Sequence, residues 1–327
     1  MIKPHMVIGV DLGGTHLRAA LVNEDGRLLA RERTASGSAL APEEALRRLT
    51  AQCRTLITAA RADGARVAAI GLGAAGSIDR RAGRIVHSPN LPRLNGFLLA
   101  PALERELGLP VFLENDANVY GLGETWQGAG VGIRNWVGLT LGTGVGGCLI
   151  FEHQLWRGDD LGFAGEIGHL PVLPGGSVCA CGAVGCLETL ASGSALARGV
   201  TAARDRGQIL GPALEQAADQ GRITPLAVFQ AARAGDPLAC ELFATLGWAL
   251  GVALAGLFSV LGIRTAIIGG GVSGAWELFE PSLRRALRDQ ARMFDPQLAR
   301  VKRAALGDDA ALLGAARLAL DALANRR

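Results

Sequence analysis

His169, Cys179, Cys181 and Cys186 have the types and spacing of a single zinc site. One imidazole and three thiolates make a complete tetrahedral set of the closed, structural kind. A disulfide competes poorly, because Cys179 and Cys181 are one residue apart and a bridge between them would close a strained small ring. Gly182 and Gly185 let the loop curl so that Cys186 returns to the ion. The ligands lie in G-E-I-G-H (165–169) and C-A-C-G-A-V-G-C-L-E (179–188), interleaved with Glu166 and Glu188. A closed metal site fixes its neighbours, and these two carboxylates could then accept hydrogen bonds from a polyhydroxylated ligand. The other cysteines, Cys53, Cys148 and Cys240, stand alone in apolar stretches and read as small core residues.

A second chemistry is written in glycine. D-L-G-G-T (11–15) and L-G-T-G-V-G-G (141–147) each read as a tight hairpin. Their backbone N–H groups, with the Thr15 and Thr143 hydroxyls, can face an anion. Gly269–Gly271 precedes a helix and offers bare backbone on which a flat group can lie. Two donor-rich hairpins in separate halves of a chain suit a polyphosphate clamped between two domains. Gly71, Gly73 and Gly76, and likewise Gly142, Gly144 and Gly147, also fit G-x-G-x-x-G. That dinucleotide fingerprint requires a helix directly after the glycines. Ser77–Val86 reads as turn and strand and Cys148–Glu152 as strand, so no dinucleotide site is expected.

The elements that must position these groups alternate between strand and helix. Strands are predicted over Met6–Val10, Leu17–Val22, Val67–Leu72, Val111–Leu113, Asn135–Leu141 and Thr265–Ile268. Helices are predicted over Pro42–Ala62, Pro101–Leu107 and Tyr120–Gln127, with several after the cysteines, one reaching about Arg292 and one from about Asp309. Leu242–Ile263 carries no charge and is long enough to span a bilayer. Its glycines at 247, 251 and 256 have helical spacing, and it opens onto a strand with its own glycine turn, so a buried helix is expected instead.

At 327 residues the chain is expected to form two domains. Net charge is +3, the only lysines are Lys3 and Lys302, and the arginines are scattered, which does not suggest nucleic-acid binding. Met1–Val7 contains no apolar leader, and the cysteines read as reduced, so a cytoplasmic location with no membrane partner is expected.

D-L-G-G-T, E-N-D-A-N (114–118), L-G-T-G-V-G-G, G-E-I-G-H, the cysteine motif and I-I-G-G-G (267–271) appear in the order found in the ROK family of sugar kinases and sugar-responsive repressors. The resemblance runs from about Val7 to the C-terminal helix. Through S-P-N-L-P (88–92) and L-P-G-G (173–176) the chain looks most like the bacterial glucokinases of that family. The resemblance implies an α/β, actin/hexokinase-like (ribonuclease H-like) fold of two domains with the active site in the cleft. Residues 1–116 with 309–327 would form the small domain, and 117–308 the large domain carrying the zinc.

It also implies roles. Asp116 resembles the general base for the sugar hydroxyl. A carboxylate is a weak base for an alcohol in the ground state and acts as the hydroxyl turns acidic during transfer. Asn90, Asn115, Asp116, Glu166, His169 and Glu188 resemble the sugar-binding set, and zinc on one His169 nitrogen would force the proton onto the other. Asp11 would face magnesium, with Gly13, Gly14 and Thr15 at the terminal phosphates of ATP. Gly142, Thr143, Gly144 and Gly146 would form the second phosphate hairpin, and Gly270 and Gly271 the adenosine platform. Magnesium would bridge the phosphates, while zinc is structural. His16 stands where many members carry Lys or Asn, and is expected to point to solvent.

The activity so implied is phosphorylation of the glucose 6-hydroxyl by ATP. Alternatives are a kinase for N-acetylglucosamine, N-acetylmannosamine, mannose or fructose, or a non-catalytic sensor. The family's repressors carry an N-terminal helix-turn-helix domain, whereas here the first family strand starts within ten residues of Met1. Homodimers or homotetramers are usual in the family.

Overall fold

The computed structural model describes residues 5–36, 40–159 and 163–325; Lys3 and the start of the Met1–Val7 segment lie outside them. Two compact units divide the chain, Met1–Arg134 with Cys148–Gly165 and Ala304–Arg327, and Asn135–Gly147 with Glu166–Arg303.

In the first unit β1 (His5–Leu12) and β2 (His16–Asn23) form an antiparallel hairpin around the D-L-G-G-T turn. β3 (Leu28–Ala35) extends it at one edge, while β4 (Arg66–Ala74) and β7 (Val111–Asn115) add in parallel, giving the order β3-β2-β1-β4-β7. Helix α1 (Pro42–Ala62) occupies the predicted span. It starts on Pro42, carries Glu43 and Glu44 in its first turn, and buries Ala45, Leu49, Cys53, Leu56 and Ala60 as one stripe. The short hairpin β5 (Ser77–Asp79) and β6 (Arg84–His87) leads to α2 (Leu99–Leu107). Helix α3 (Asp116–Gln127) follows β7 directly, and the first unit takes in residues 117–134, 148–165 and 304–308 besides the segments expected of it.

Strand alternation sorts the sheet residues onto two faces. Ile8, Val10 and Leu12 join Leu49, Leu56, Leu99 and Leu103 in one core; Val7, Ala20, Val22 and Ala69 join Leu312, Leu313, Ala316 and Ala319 of α10 (Asp309–Ala324) in the other. The second face has no room for side chains where α10 crosses it. Gly9 and Gly71 are register partners in β1 and β4, and a Cβ on either would stand 2.0 or 1.7 Å from the Leu312 or Ala315 carbonyl oxygen. The G-x-G-x-x-G match at Gly71 therefore marks helix-on-sheet packing, with turn and strand after it as expected.

A buried carboxylate ties α3 to the chain entering α10. Glu124 accepts hydrogen bonds from the backbone N–H groups of Ala129, Ala305 and Leu306 and is fully buried. Replacing it by Ala orphans those donors, and a loss of about 3 kcal/mol or more is expected, read as a lower urea midpoint. Glu124→Gln, which keeps one acceptor oxygen, should lose less.

The hairpin β9 (Val145–Phe151) and β10 (Gln154–Trp156) is antiparallel, and its turn residues Glu152 and His153 have φ of 52° and 62°. In the second unit β8 (Trp136–Leu141), β11 (Thr265–Gly269) and β12 (Arg300–Arg303) run parallel, with β11 between the other two. Helices α4 (Glu188–Ala191), α5 (Gly193–Asp205), α6 (Pro212–Asp219), α7 (Pro225–Arg233), α8 (Pro237–Leu261) and α9 (Trp276–Gln290) complete it. By length and composition α8 alone, among the described residues, could cross a membrane, yet half of its most apolar window is buried. Gly247 and Gly251 seat it on α9, where an added Cβ would meet the Phe279 and Leu283 carbonyl oxygens at 2.1 and 2.4 Å. Cys53 and Cys148 are buried as expected. Cys240 is not: it is exposed near the start of α8, with its Sγ 3.5 Å from the Ala232 carbonyl oxygen.

Candidate active site

Register across the first sheet gathers its polar residues at one end. Asp11 pairs with Gly73 and Gly73 with Glu114; Leu12 pairs with Ala74 and Ala74 with Asn115. Asp11, Asn115 and Asp116 therefore stand together at the carboxyl ends of three parallel strands, the usual place for ligands in open α/β sheets.

The D-L-G-G-T turn is closed by the Gly13 N–H donating to the His16 carbonyl at 3.0 Å, and the Ser36 hydroxyl donates to the Gly13 carbonyl at 2.6 Å. Gly13 thus supports the turn, and the N–H groups of Gly14 and Thr15 are the donors that no other group of the described residues takes up. Thr15 is exposed and His16 half-buried. Gly14 lies against Asn90, whose Cβ and carbonyl oxygen would each stand 3.2 Å from an added Cβ. The Asn90 loop is held in turn by the Leu91 N–H on the Ser88 hydroxyl and by the Ser88 N–H on Asn95 Oδ1.

Asn115 caps α3: its Oδ1 accepts from the Asn118 N–H at 3.1 Å and its Nδ2 donates to the Gly76 carbonyl at 3.0 Å. Asp116 is therefore the first residue of the helix rather than its cap. It is half-buried, with Oδ1 accepting from the Ala117 N–H at 2.9 Å, at the helix end that favours a negative charge.

Asp11 is buried, and Arg18, directly opposite it across the hairpin, donates to its Oδ2 from Nε at 3.0 Å and from Nη2. Burial pushes the Asp11 carboxyl above the ordinary aspartate range, while the Arg18 guanidinium pulls the other way. Arg18 escaped the sequence reading. Hairpin arithmetic could have found it, because a residue opposite Asp11 across this turn has to be Arg18.

The second unit gathers the remaining residues. Gly270, at φ 82°, lies on the backbone of Leu141, which brings Gly270 and Gly271 beside the Gly142–Gly144 turn. That turn is docked on the start of α5: the Gly193 N–H donates to the Gly142 carbonyl at 2.8 Å and the Ser194 N–H to the Thr143 carbonyl at 3.3 Å. Thr143 is exposed. Glu188 Oε2 accepts from the Val145 N–H at 2.9 Å and leaves no room for a side chain at Gly144, where a Cβ would stand 2.1 Å away. The expected sugar ligand Glu188 thus also shapes the hairpin expected to receive phosphate. Gly146 follows as the second residue of β9. Gly168 of G-E-I-G-H packs on the Val145 carbonyl, where a Cβ would stand 2.1 Å from the oxygen.

Ile167–His169 is a single 3-10 turn, and it places Glu166 Oε2 3.7 Å from His169 Nε2. The opposite ring nitrogen, Nδ1, lies 3.7 Å from Cys179 Sγ, and Cys181 Sγ lies 3.7 Å from Cys186 Sγ. The four donor atoms of His169, Cys179, Cys181 and Cys186 all fall within 4.8 Å of one another. A tetrahedron with Zn–S bonds of about 2.3 Å has S–S edges of about 3.8 Å, so the donor set fits zinc. Burial pushes the Cys186 thiol up to about 12, while the Ala183 backbone lowers that of Cys181. A dication supplies the charge that lets three such sulfurs ionise together.

With this geometry in hand, the similarity to known proteins is extensive. Residues 7–322 match the ROK family profile. The chain belongs to the ROK family. It is 37% identical to a glucokinase of Thermotoga maritima over 312 residues, covering 95% of this chain and 96% of that protein. The crystal structure of a ROK hexokinase from Thermus thermophilus superposes with a TM-score of 0.80 at 34% identity, over 98% of this chain and 99% of that one. That of a ROK family glucokinase from Streptomyces griseus, in complex with glucose and AMPPNP, gives 0.79 at 36% identity over 97% and 99%. The expected two-domain α/β fold of the actin/hexokinase class is that of these ROK neighbours.

Proposed function

We propose that the chain is an ATP-dependent hexokinase that converts glucose to glucose 6-phosphate, releasing ADP. The observation that carries this is the shared strand end of Asp11, Asn115 and Asp116, with the Gly14 turn of the same hairpin packed on Asn90; the Streptomyces griseus enzyme, bound to glucose and AMPPNP, supports the substrates. Asp116 takes the proton of the sugar 6-hydroxyl as that oxygen bonds to the γ-phosphorus. The bond to the β–γ bridging oxygen breaks, and ADP leaves with the electron pair. Asn90, Asn115, Glu166, His169 and Glu188 hold the other hydroxyls. Gly14 and Thr15 receive the terminal phosphates, Gly142–Gly146 the others, and Gly270 with Gly271 the adenosine. Asp11, held in place by Arg18, is the acid for magnesium, which neutralises phosphate charge. Zinc on His169 and the three cysteines shapes the sugar pocket and takes no part in the transfer. Three cysteines that would have to stay reduced to hold zinc support a cytoplasmic location.

The test is ADP release with ATP and magnesium over a panel of glucose, mannose, fructose, N-acetylglucosamine and N-acetylmannosamine. Highest kcat/KM on glucose is expected. Preference for an N-acetylated sugar would move the substrate assignment, and no turnover on any of them would reject the kinase reading.

A further inference from the structure

Glu114 precedes Asn115 and Asp116 at the end of β7, is 2% exposed, and takes no part in the reaction as proposed above. Its two oxygens face different partners. Oε1 accepts from the Asn115 N–H at 3.0 Å and from Asn118 Nδ2 at 3.1 Å. These bonds bracket Asp116, one gripping the chain before it and the other the first turn of α3 after it. Oε2 accepts from Arg157 Nε at 2.6 Å, with Arg80 Nη1 3.6 Å away. All of these residues belong to the first unit.

A buried charge has to be paired, and the two arginines do not share that role equally. Arg157, just after β10, makes the hydrogen bond, and its side chain is 27% exposed. Arg80, just after β5, is farther away and 42% exposed. Burial, and next the Arg157 charge, pull the Arg80 guanidinium below the ordinary arginine range, as two cations crowded on one carboxylate should. We infer that Arg157 is a positioning residue for phosphoryl transfer: through Glu114 it fixes the turn from β7 into α3, and with it the direction of the Asp116 carboxylate and the Asn115 amide. This rests on the reading of Asp116 as the base. Without Arg157 the only cation left to Glu114 is Arg80, and turning toward it releases the two Oε1 bonds. A shift of about 1 Å at a reacting group is enough to cost about 10²-fold in rate.

Arg157 and Arg80 line a cavity of about 1010 Å³ together with Phe112, Leu113 and Trp126, so a small cation can reach Glu114 once the Arg157 side chain is cut back. Arg157→Ala is expected to lower kcat by about 10–10²-fold, on whichever sugar wild type turns over best, while KM for ATP stays near its wild-type value. Ethylguanidinium, the piece of side chain that this substitution removes, should restore part of kcat at millimolar concentration and leave wild type and Asp116→Asn unchanged. A contribution to folding alone would not respond to it. Arg157→Gln and Glu114→Gln, alone and combined, serve as the second measurement if the alanine chain does not fold. Because both act through one contact, the double variant should turn over no more slowly than the slower single variant. Arg157→Ala at wild-type kcat, a loss that ethylguanidinium leaves untouched, or losses that add in the double variant would each overturn the inference. With Asp116→Asn still impaired, those results leave the base assignment standing. Asp116→Asn at wild-type kcat would overturn both.

Discussion

Asp116→Asn is expected to lower kcat by about 10²–10⁴-fold while glucose still binds. The substitution is nearly isosteric, and the amide oxygen can still accept from the Ala117 N–H, so the start of α3 should keep its shape. Asn115, not Asp116, caps the helix, which leaves stability largely out of the comparison. What the variant loses is a site for the proton of the 6-hydroxyl. Turnover by coupled ADP assay, with glucose binding by calorimetry, separates the two effects. A variant that retains more than about a tenth of wild-type kcat would remove Asp116 from the role of base.

Metal loss should do something different. Cys186→Ser is expected to abolish zinc binding, measured as metal per chain, and to raise KM for glucose by at least about tenfold, in the range seen when metal-site geometry is disturbed. The reason lies in the local chain. Cys186 is fully buried and bridges to Pro171, two residues after His169, and Glu188 follows two residues later. Freeing this loop releases Glu166, His169 and Glu188 together, yet leaves the D-L-G-G-T turn and Asp116 in place. The KM for ATP should rise as well, because the released Glu188 also holds the Val145 N–H beside the Gly144 turn. A Cys186→Ser chain with full zinc content, or one with no zinc and an unchanged KM for glucose, would contradict the structural role of the site.

Most of the architecture was legible because the interior strands and helices carry strong periodicity. Pro42–Ala62 matched the helix end to end, and the strands at Val67, Val111 and Thr265 needed only small extensions. The strands the sequence reading passed over are β3, β10 and β12, the edges of their ladders. β3 and β12 are rich in charge, as in R-E-R (31–33) and R-V-K-R (300–303), because an edge strand gains from residues that discourage further pairing. The His169–Cys179–Cys181–Cys186 cluster could be read from spacing alone, since its four residues lie within 18 positions of one another. The supporting contacts could not. Arg18 on Asp11, Glu188 on the Val145 N–H, and Gly193 on the Gly142 carbonyl join residues whose types have many possible uses, and only the folded register selects one. The role of Gly71 was hidden for the same reason: it depends on Ala315, far along the chain.

That distance has a consequence during translation. Val7, Ala20, Val22 and Ala69 leave the ribosome long before the helix that covers them, Asp309–Ala324. The second unit, within residues 135–303, is synthesised in between. Until that helix emerges, the first sheet carries a bare hydrophobic face with the Gly9–Gly71 pair at its centre, a surface for chaperones to hold. A ribosome stalled before Asp309 would leave a chain whose sheet cannot close.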